Sequence, residues 1–137
     1  MKKYLMLALL LGGFASAHTQ ITSLSPAAGA TVTAPKTVTL TLSEAVDQKF
    51  VTIKVYPIKA AGDLLTLNRA AAALAKTALG SKNDASARVD MAQPKSGMAQ
   101  TLSVPLKPLK AGTYAIMWRL LSDDGHVVSG QSVFKVK

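Results

Sequence analysis

The sequence predicts an all-β chain: an immunoglobulin-like antiparallel β-sandwich of Greek-key type with one helix inserted near residues 63–80. Three observations predict it. Apolar residues alternate with polar ones in several short runs, which is the periodicity of half-buried strands. Glycine and proline turns separate those runs, giving about six or seven short strands, the number such sandwiches use. A single alanine-rich stretch breaks the pattern and carries the only helical signal.

The first 17 residues are set apart by composition. Lys2 and Lys3 precede an apolar run from Leu5 to Leu11, followed by Ala15-Ser16-Ala17. A basic start, a short apolar stretch and small residues before a cut are the layout of a secretory signal. The run falls short of the about 20 residues needed to span a bilayer. Cleavage is expected after Ala17, leaving a domain at 18–137 that begins at His18.

Within that domain Ser25-Pro26 and Ala28-Gly29 punctuate the start. Val38, Leu40 and Leu42 alternate with Thr37, Thr39 and Thr41, and Val51, Ile53 and Val55 alternate with Thr52 and Lys54. Pro57, which has no N–H to give to a ladder, is expected to end the second run. The inserted helix has Asp63 as its N-cap and Gly80 as its stop. Its predicted buried face is Leu64, Leu67, Ala71, Leu74 and Ala78, with Arg69 and Lys76 elsewhere. Packing over the sheet explains that face better than docking to a membrane, because the helix carries few basic residues. Residues 81–99 read as loop, with a short strand at Arg88–Met91. Leu102, Val104 and Leu106 then alternate with Thr101 and Ser103. Gly112 opens the longest strand, residues 113–121, with Tyr114, Ile116, Trp118 and Leu120 on one face. A turn at Asp123-Asp124-Gly125 leads to a last strand at 126–136, and Trp118 and Phe134 are expected core anchors.

Composition narrows the function. The chain of 137 residues has 16 basic and 7 acidic residues, a formal charge of +9, or +7 once Lys2 and Lys3 leave with the signal. The lysines are scattered and the aromatics few, with 3 Tyr, 3 Phe and 1 Trp, which argues against a nucleic-acid binder and for a solvated cationic surface. There is no cysteine, which excludes a disulfide framework, a thiolate metal site, a cysteine nucleophile and a lipoprotein anchor.

The chemistry must then come from few residues. The chain has two histidines, His18 and His126. At a mature N-terminus, the α-amine and imidazole Nδ1 of His18 can close a six-membered chelate around one metal ion. Asp124 and His126 add a carboxylate and a second imidazole. If that pair is extended, both side chains point to one side of the strand, and Gly125 leaves the backbone free to adjust. Asp124-Gly125 also reads as an ordinary hairpin turn. Nitrogen and oxygen donors of this kind suit Cu(II).

Two segments carry a resemblance. The first runs from His18 through Leu24-Ser25-Pro26-Ala27 and Gly29 to Pro35 and Leu40-Thr41-Leu42-Ser43-Glu44. The second runs from Ala111-Gly112-Thr113-Tyr114 through Trp118-Arg119, Ser122-Asp123-Asp124-Gly125-His126 and Gly130 to Phe134. Together they resemble the CopC family of exported copper-resistance proteins. The resemblance implies a small β-sandwich and a Cu(II) site at His18, Asp124, His126 and Glu44. It favours Glu44 as a weak axial ligand or, preferably, as a carboxylate that orients a ligand; without the resemblance, Glu44 could simply mark a strand end. Some members carry a Cu(I) site in a methionine-rich loop with a histidine. Here the methionines after the signal are Met91, Met98 and Met117, and no third histidine exists, so the Cu(II) site alone is expected. Met117 lies in a strand and is assigned to the core, while Met91 and Met98 fall in a loop and make a poor thioether pair.

The resulting expectation is an extracytoplasmic copper carrier, with no enzymatic activity, that serves copper homeostasis or resistance. Its membrane copper partner is expected to be a separate protein, since no membrane domain follows Lys137. The alternatives are an oxidative enzyme with a histidine-brace copper site and a metal-free structural or adhesive sandwich.

Overall fold

The computed structural model describes residues 18–137, so the expected leader at 1–17 lies outside the described residues. In chain order the elements are β1 (Ile21–Ser25), β2 (Thr31–Val32), β3 (Thr37–Asp47), β4 (Thr52–Ile58), α1 (Leu64–Ala78), β5 (Met98–Pro105), β6 (Gly112–Leu121) and β7 (Val127–Val136). One sheet has the order β1-β3-β5 and the other β2-β7-β6-β4. All pairings are antiparallel except β2 with β7, which is parallel. That exception comes from a short crossing. After β1 the chain moves to the second sheet, with Gly29 N–H donating to the Val133 carbonyl at 2.7 Å and Lys135 N–H to the Ala30 carbonyl at 2.8 Å.

Strand alternation builds the core between the sheets as the sequence predicts. Val38, Leu40 and Leu42 of β3 are fully buried and meet Tyr114, Ile116, Trp118 and Leu120 of β6. Phe134 stacks on Tyr114 with ring centroids 5.5 Å apart. Outward-facing hydroxyls pair across the first sheet, Thr39 with Ser103 at 3.1 Å. Trp118 lies opposite Gly130 in the β6–β7 register. A Cβ at position 130 would stand 2.7 Å from the indole Cζ2, so the absence of a side chain there lets the ring lie flat.

The second sheet is covered on its other face as well. Ala115 and Met117 of β6, Val133 of β7 and Tyr56 of β4 pack against α1. Asp63 caps the helix by accepting from Thr66 N–H at 2.8 Å, as expected. The buried face is Leu67, Ala71, Ala75 and Ala78. Leu64 stays 49% exposed and instead lies beside Gly29, while Leu74 is only partly buried. The predicted face is thus rotated, because small alanines let the helix settle closely on the sheet.

Two local expectations fail. Pro57 does not end β4, which continues to Ile58. β4 is an edge strand. Val55, two residues before Pro57, directs its N–H to Asp90 and its carbonyl to Val89 N–H, away from β6. Pro57 shares that outward side, so its missing N–H costs the ladder nothing. The strand expected at Arg88–Met91 is reduced to a single bridge, Asp90 with Leu106. The segment lies across the outer edges of both sheets, with Val89 N–H bonded to Val55 and Met91 N–H to Pro105, so it bridges the two and extends neither.

A buried charge network ties the helical insertion to β4. Lys54, read from the sequence as solvent-facing, is 4% exposed because α1 covers that side. Its ammonium donates to the carbonyls of Ala78 and Ser81, each at 2.8 Å, and to Asp84 Oδ2 at 2.7 Å. It therefore satisfies a carbonyl in the last turn of α1 with a cation. Asp84 also accepts from Tyr56 and Arg88, and Arg88 pairs with Asp90. Burial alone would raise the Asp84 carboxyl. The hydrogen bonds from Lys54, Tyr56 and Arg88 and the charge of Lys54 outweigh it and hold it well below the usual carboxylate range. Burial, then the hydrogen bond and negative charge of Asp84, push the Tyr56 phenol up to about 12.

Three consequences can be measured by denaturant unfolding. Gly130→Ala should destabilise the protein by about 1–3 kcal/mol, the cost of overpacking, because the added methyl meets the indole; a neutral effect would mean that the ring moves freely. Lys54→Met should cost about 3 kcal/mol, since it strands buried acceptors. The pH dependence follows from the two shifted groups. Asp84 contributes fully above the ordinary carboxylate pKa and loses its contribution as pH falls through its lowered value. Tyr56 contributes fully below its ordinary pKa of 10.0 and loses its contribution as pH rises towards about 12. The stability advantage of the native protein over Tyr56→Phe should therefore hold at neutral pH and shrink above pH 10; an advantage unchanged up to pH 12 would contradict the network.

Candidate metal centre

Two arms meet at one end of the sandwich. The first is the lead into β1. Gln20 N–H donates to Ser43 Oγ at 2.9 Å, and Ser43 N–H donates to the Gln20 carbonyl at 2.8 Å, fastening the lead to β3. Thr19 is buried beside it, and its hydroxyl donates to Glu44 Oε1 at 2.6 Å. His18 therefore emerges from a fixed point on the surface.

The second arm is the turn between β6 and β7. Ser122 N–H bonds the His126 carbonyl at 2.8 Å and Gly125 N–H bonds the Ser122 carbonyl at 3.0 Å. Gly125 has φ +85°, a left-handed conformation that glycine adopts without strain. The turn folds the Asp124 carboxylate back on itself. Its Oδ1 accepts from the Ser122 hydroxyl and, at 3.1 Å, from His126 N–H. Its Oδ2 lies 3.1 Å from Nδ1 of His18 and 3.1 Å from Nδ1 of His126.

One carboxylate oxygen thus joins both imidazoles. The rings are 5.1 Å apart, nearly perpendicular at 80°. One ligand atom from each of His18, Asp124 and His126 lies within 4.8 Å of the others. Two donors on opposite sides of one ion stand about 4 Å apart when each bond is about 2.0 Å, so the three can converge on an ion with small side-chain rotations. The site is open to solvent. The hydrogen bonds of Asp124 to the Ser122 hydroxyl, then to the imidazole and backbone of His126, hold its carboxyl well below the usual carboxylate range. It therefore presents a full negative charge at neutral pH, between the two imidazoles.

The placement of the predicted residues is mixed. His18, Asp124 and His126, far apart in sequence, come together. Asp124 and His126 do so through the turn the sequence offered, and not as the extended pair considered beside it, because the Asp-Gly step sits at the hairpin tip. Glu44 lies outside the three-residue group and connects to it through Thr19. It does not mark a strand end, since β3 runs on to Asp47 past an irregularity between Thr41 and Val46. Thr19 and Ser122 were not anticipated as participants. Their positions next to His18 and two before Asp124, where a hydroxyl can bond a nearby carboxylate, were the available signal.

The methionines are dispersed. Met117 is buried under α1. Met91 bonds the Pro105 end of β5, whereas Met98 begins that strand. With about 3.3 Å per strand residue, the two stand roughly 20 Å apart and do not form the thioether pair weighed from the sequence.

Comparison with known proteins identifies relatives of the whole domain. The CopC domain model matches residues 21–137. The copper resistance protein C of Pseudomonas syringae pv. tomato is 30% identical over 130 residues, covering 94% of this chain and 88% of its own. The copper resistance protein C of Escherichia coli is 32% identical over 123 residues, covering 90% and 84%. Among solved structures, PcoC, a methionine-rich copper resistance protein from Escherichia coli, aligns with a TM-score of 0.60 and 26% identity over 88% of this chain and all of its own, 100%. CopC from Methylosinus trichosporium OB3b shares the fold, with a TM-score of 0.57 and 22% identity over 88% of this chain and 94% of its own. A family match over residues 21–137, together with these relatives, places the chain in the CopC family.

Proposed function

We propose that the protein is an exported carrier that holds one Cu(II) ion as cargo between His18, Asp124 and His126. The observation that carries the reading is the convergence of these three side chains on Asp124 Oδ2. The donor set supports Cu(II), which favours nitrogen and oxygen ligands and heads the series of divalent metal affinities. Cleavage before His18 would add its α-amine as a further nitrogen. Copper resistance is the named role of the relatives, and carriage or buffering outside the cytoplasm, with transfer to a separate membrane copper protein, is the form of it this chain supports.

Glu44 acts at one remove. Its carboxylate fixes the Thr19 hydroxyl, and Thr19 fixes the residue that bears the His18 imidazole. A tight Cu(I) site is not part of this reading, because Met91 and Met98 are separated and Met117 is buried. Carriage is favoured over oxidative catalysis for two reasons. Trp118 is spent on the core and offers no flat substrate platform. The Asp124 carboxylate also occupies the space between the imidazoles where an oxygen-activating site needs an open position.

Two predictions test this reading. In the first, Cu(II) affinity is compared between protein beginning at His18 and protein with one extra Gly in front. The extension turns the amine into an amide, a poor ligand near neutral pH, so binding should weaken by several orders of magnitude, roughly 4 kcal/mol or more. Equal affinities, with both termini confirmed by mass, would remove the amine from the site. In the second, Glu44→Gln should weaken Cu(II) about tenfold, as changes to supporting groups do, while Asp124→Asn should weaken it well over 100-fold. Equal losses, measured against a chelator series, would make Glu44 a direct ligand.

A further inference from the structure

The sandwich has two unlike ends. At the end away from the candidate metal centre, β3 and β6 begin and β5 and β7 finish: Thr37 pairs with Pro105, and Gly112 with Val136. Five lysines gather there. Lys36 is held by its carbonyl, which accepts from Leu106 N–H at 2.9 Å, and Lys137 by its N–H, which donates to the Val32 carbonyl at 3.1 Å. Lys135 pairs with Thr113, which is also the partner of Ile58, the residue before Lys59. The Lys110 carbonyl accepts from the Tyr114 hydroxyl at 2.6 Å, just ahead of β6. β6 has 10 residues, so at about 3.3 Å each this end stands roughly 30 Å from the turn that carries Asp124.

All five side chains are exposed, and among the described residues none of them lies in an ion pair. The acids that could offset them are placed elsewhere. Glu44, Asp123 and Asp124 belong to the metal end, and Asp47 finishes β3 beside Lys49. Asp84 and Asp90 are taken by Lys54 and Arg88. Asp63, which caps α1 and shares a small cleft with Lys135, is the carboxylate nearest the lysines. An apolar step adjoins them. α1 begins at this end, since Leu64 lies beside Gly29 and lines the same cleft as Lys135. Leu64 and Leu65 are 49% and 57% exposed. Lysines that are scattered in the sequence are thus brought together by the fold, next to two consecutive exposed leucines.

We propose that this end docks on an anionic phospholipid bilayer, with the five ammonium groups among the headgroups and Leu64 and Leu65 entering the boundary with the acyl chains. Clustered cations with apolar side chains beside them are what binding at such an interface requires. The face of α1 that packs on the sheet takes no part; only its exposed first turn does. A folded acidic partner would need a shaped contact of about 800 Å² on each side. A fluid surface needs no such match and accepts lysines carried on separate segments. Docked in this way, the candidate metal centre points away from the bilayer and stays open to the medium.

The test is co-sedimentation of protein beginning at His18 with vesicles of phosphatidylglycerol and phosphatidylcholine in equal parts, and with vesicles of phosphatidylcholine alone. Binding should be confined to the anionic vesicles and should weaken as salt is added. A lysine near such a surface contributes about fivefold to partitioning, so the triple variant Lys110→Gln, Lys135→Gln, Lys137→Gln should lose roughly 100-fold. A control with the same change in net charge, Lys49→Gln, Lys76→Gln, Lys82→Gln, alters exposed side chains elsewhere and should lose less than about fivefold. Leu64→Ser with Leu65→Ser should lose about tenfold at constant charge. If that pair does not fold, a polarity-sensitive dye on Leu65→Cys, the sole cysteine in its chain, decides: its emission should shift to shorter wavelength on anionic vesicles, while the same dye on Ser129→Cys should not respond. Three results would overturn the proposal. One is no binding to anionic vesicles at low salt. Another is equal loss in the two lysine variants, which would reduce the attraction to net charge. The third is binding and dye emission indifferent to the leucine positions, which would fit an acidic protein surface in place of a bilayer. Asp124→Asn should bind vesicles like the native protein, so the test stands whether or not copper is the cargo; a loss in that variant would place the contact at the wrong end.

Discussion

The candidate metal centre depends on one oxygen atom. Asp124 Oδ2 contacts both imidazoles, and it joins segments separated by most of the chain. Its position is set by constraints that are individually small. A hairpin of fixed register ends at Leu121 and resumes at Val127. Gly125 takes a backbone conformation that other residues resist. Ser122 and the His126 amide hold the second carboxylate oxygen, leaving Oδ2 to face His18. The same hydrogen bonds keep the group ionised, so the geometry and the charge of the site have one origin.

The sandwich makes this possible by burying the middle of the second sheet on both faces. β6 contributes Tyr114, Ile116, Trp118 and Leu120 to the interior between sheets, and Ala115 and Met117 to the layer under α1. A strand packed on both sides cannot slip by one residue without exposing one set and burying the other wrongly. The register that brings Ser122 and Val127 to the same end is thereby fixed from the core. Trp118 over Gly130 anchors it close to the turn. On the other arm, the reciprocal bonds of Gln20 and Ser43 do for the His18 lead what the hairpin does for Asp124.

What the sequence made legible follows the range of each interaction. Strand alternation, the cap at Asp63 and the turn at Asp124-Gly125 are local, and each is present. Likewise, the convergence of His18, Asp124 and His126 followed from donor chemistry and from the family resemblance. The misses all depend on what lies beside an element. Lys54 looked solvent-facing because nothing in its own strand announces that α1 will cover it. Pro57 looked like a terminator because its strand could not be recognised as an edge. Glu44 looked like a strand end, since the irregularity that carries β3 on to Asp47 is set by its pairing with β5. Thr19 and Ser122 passed unnoticed because a hydroxyl acquires its role only when a carboxylate is folded against it.

The central claim is that one Cu(II) ion is shared by the imidazoles of two residues far apart in the chain. Pulsed electron paramagnetic resonance of protein loaded with one equivalent of Cu(II) tests it most directly, because coupling to imidazole nitrogen counts the histidines bound. Two histidine couplings are predicted in the native protein and one in His126→Ala. A spectrum with a single imidazole coupling that His126→Ala leaves unchanged would contradict the account.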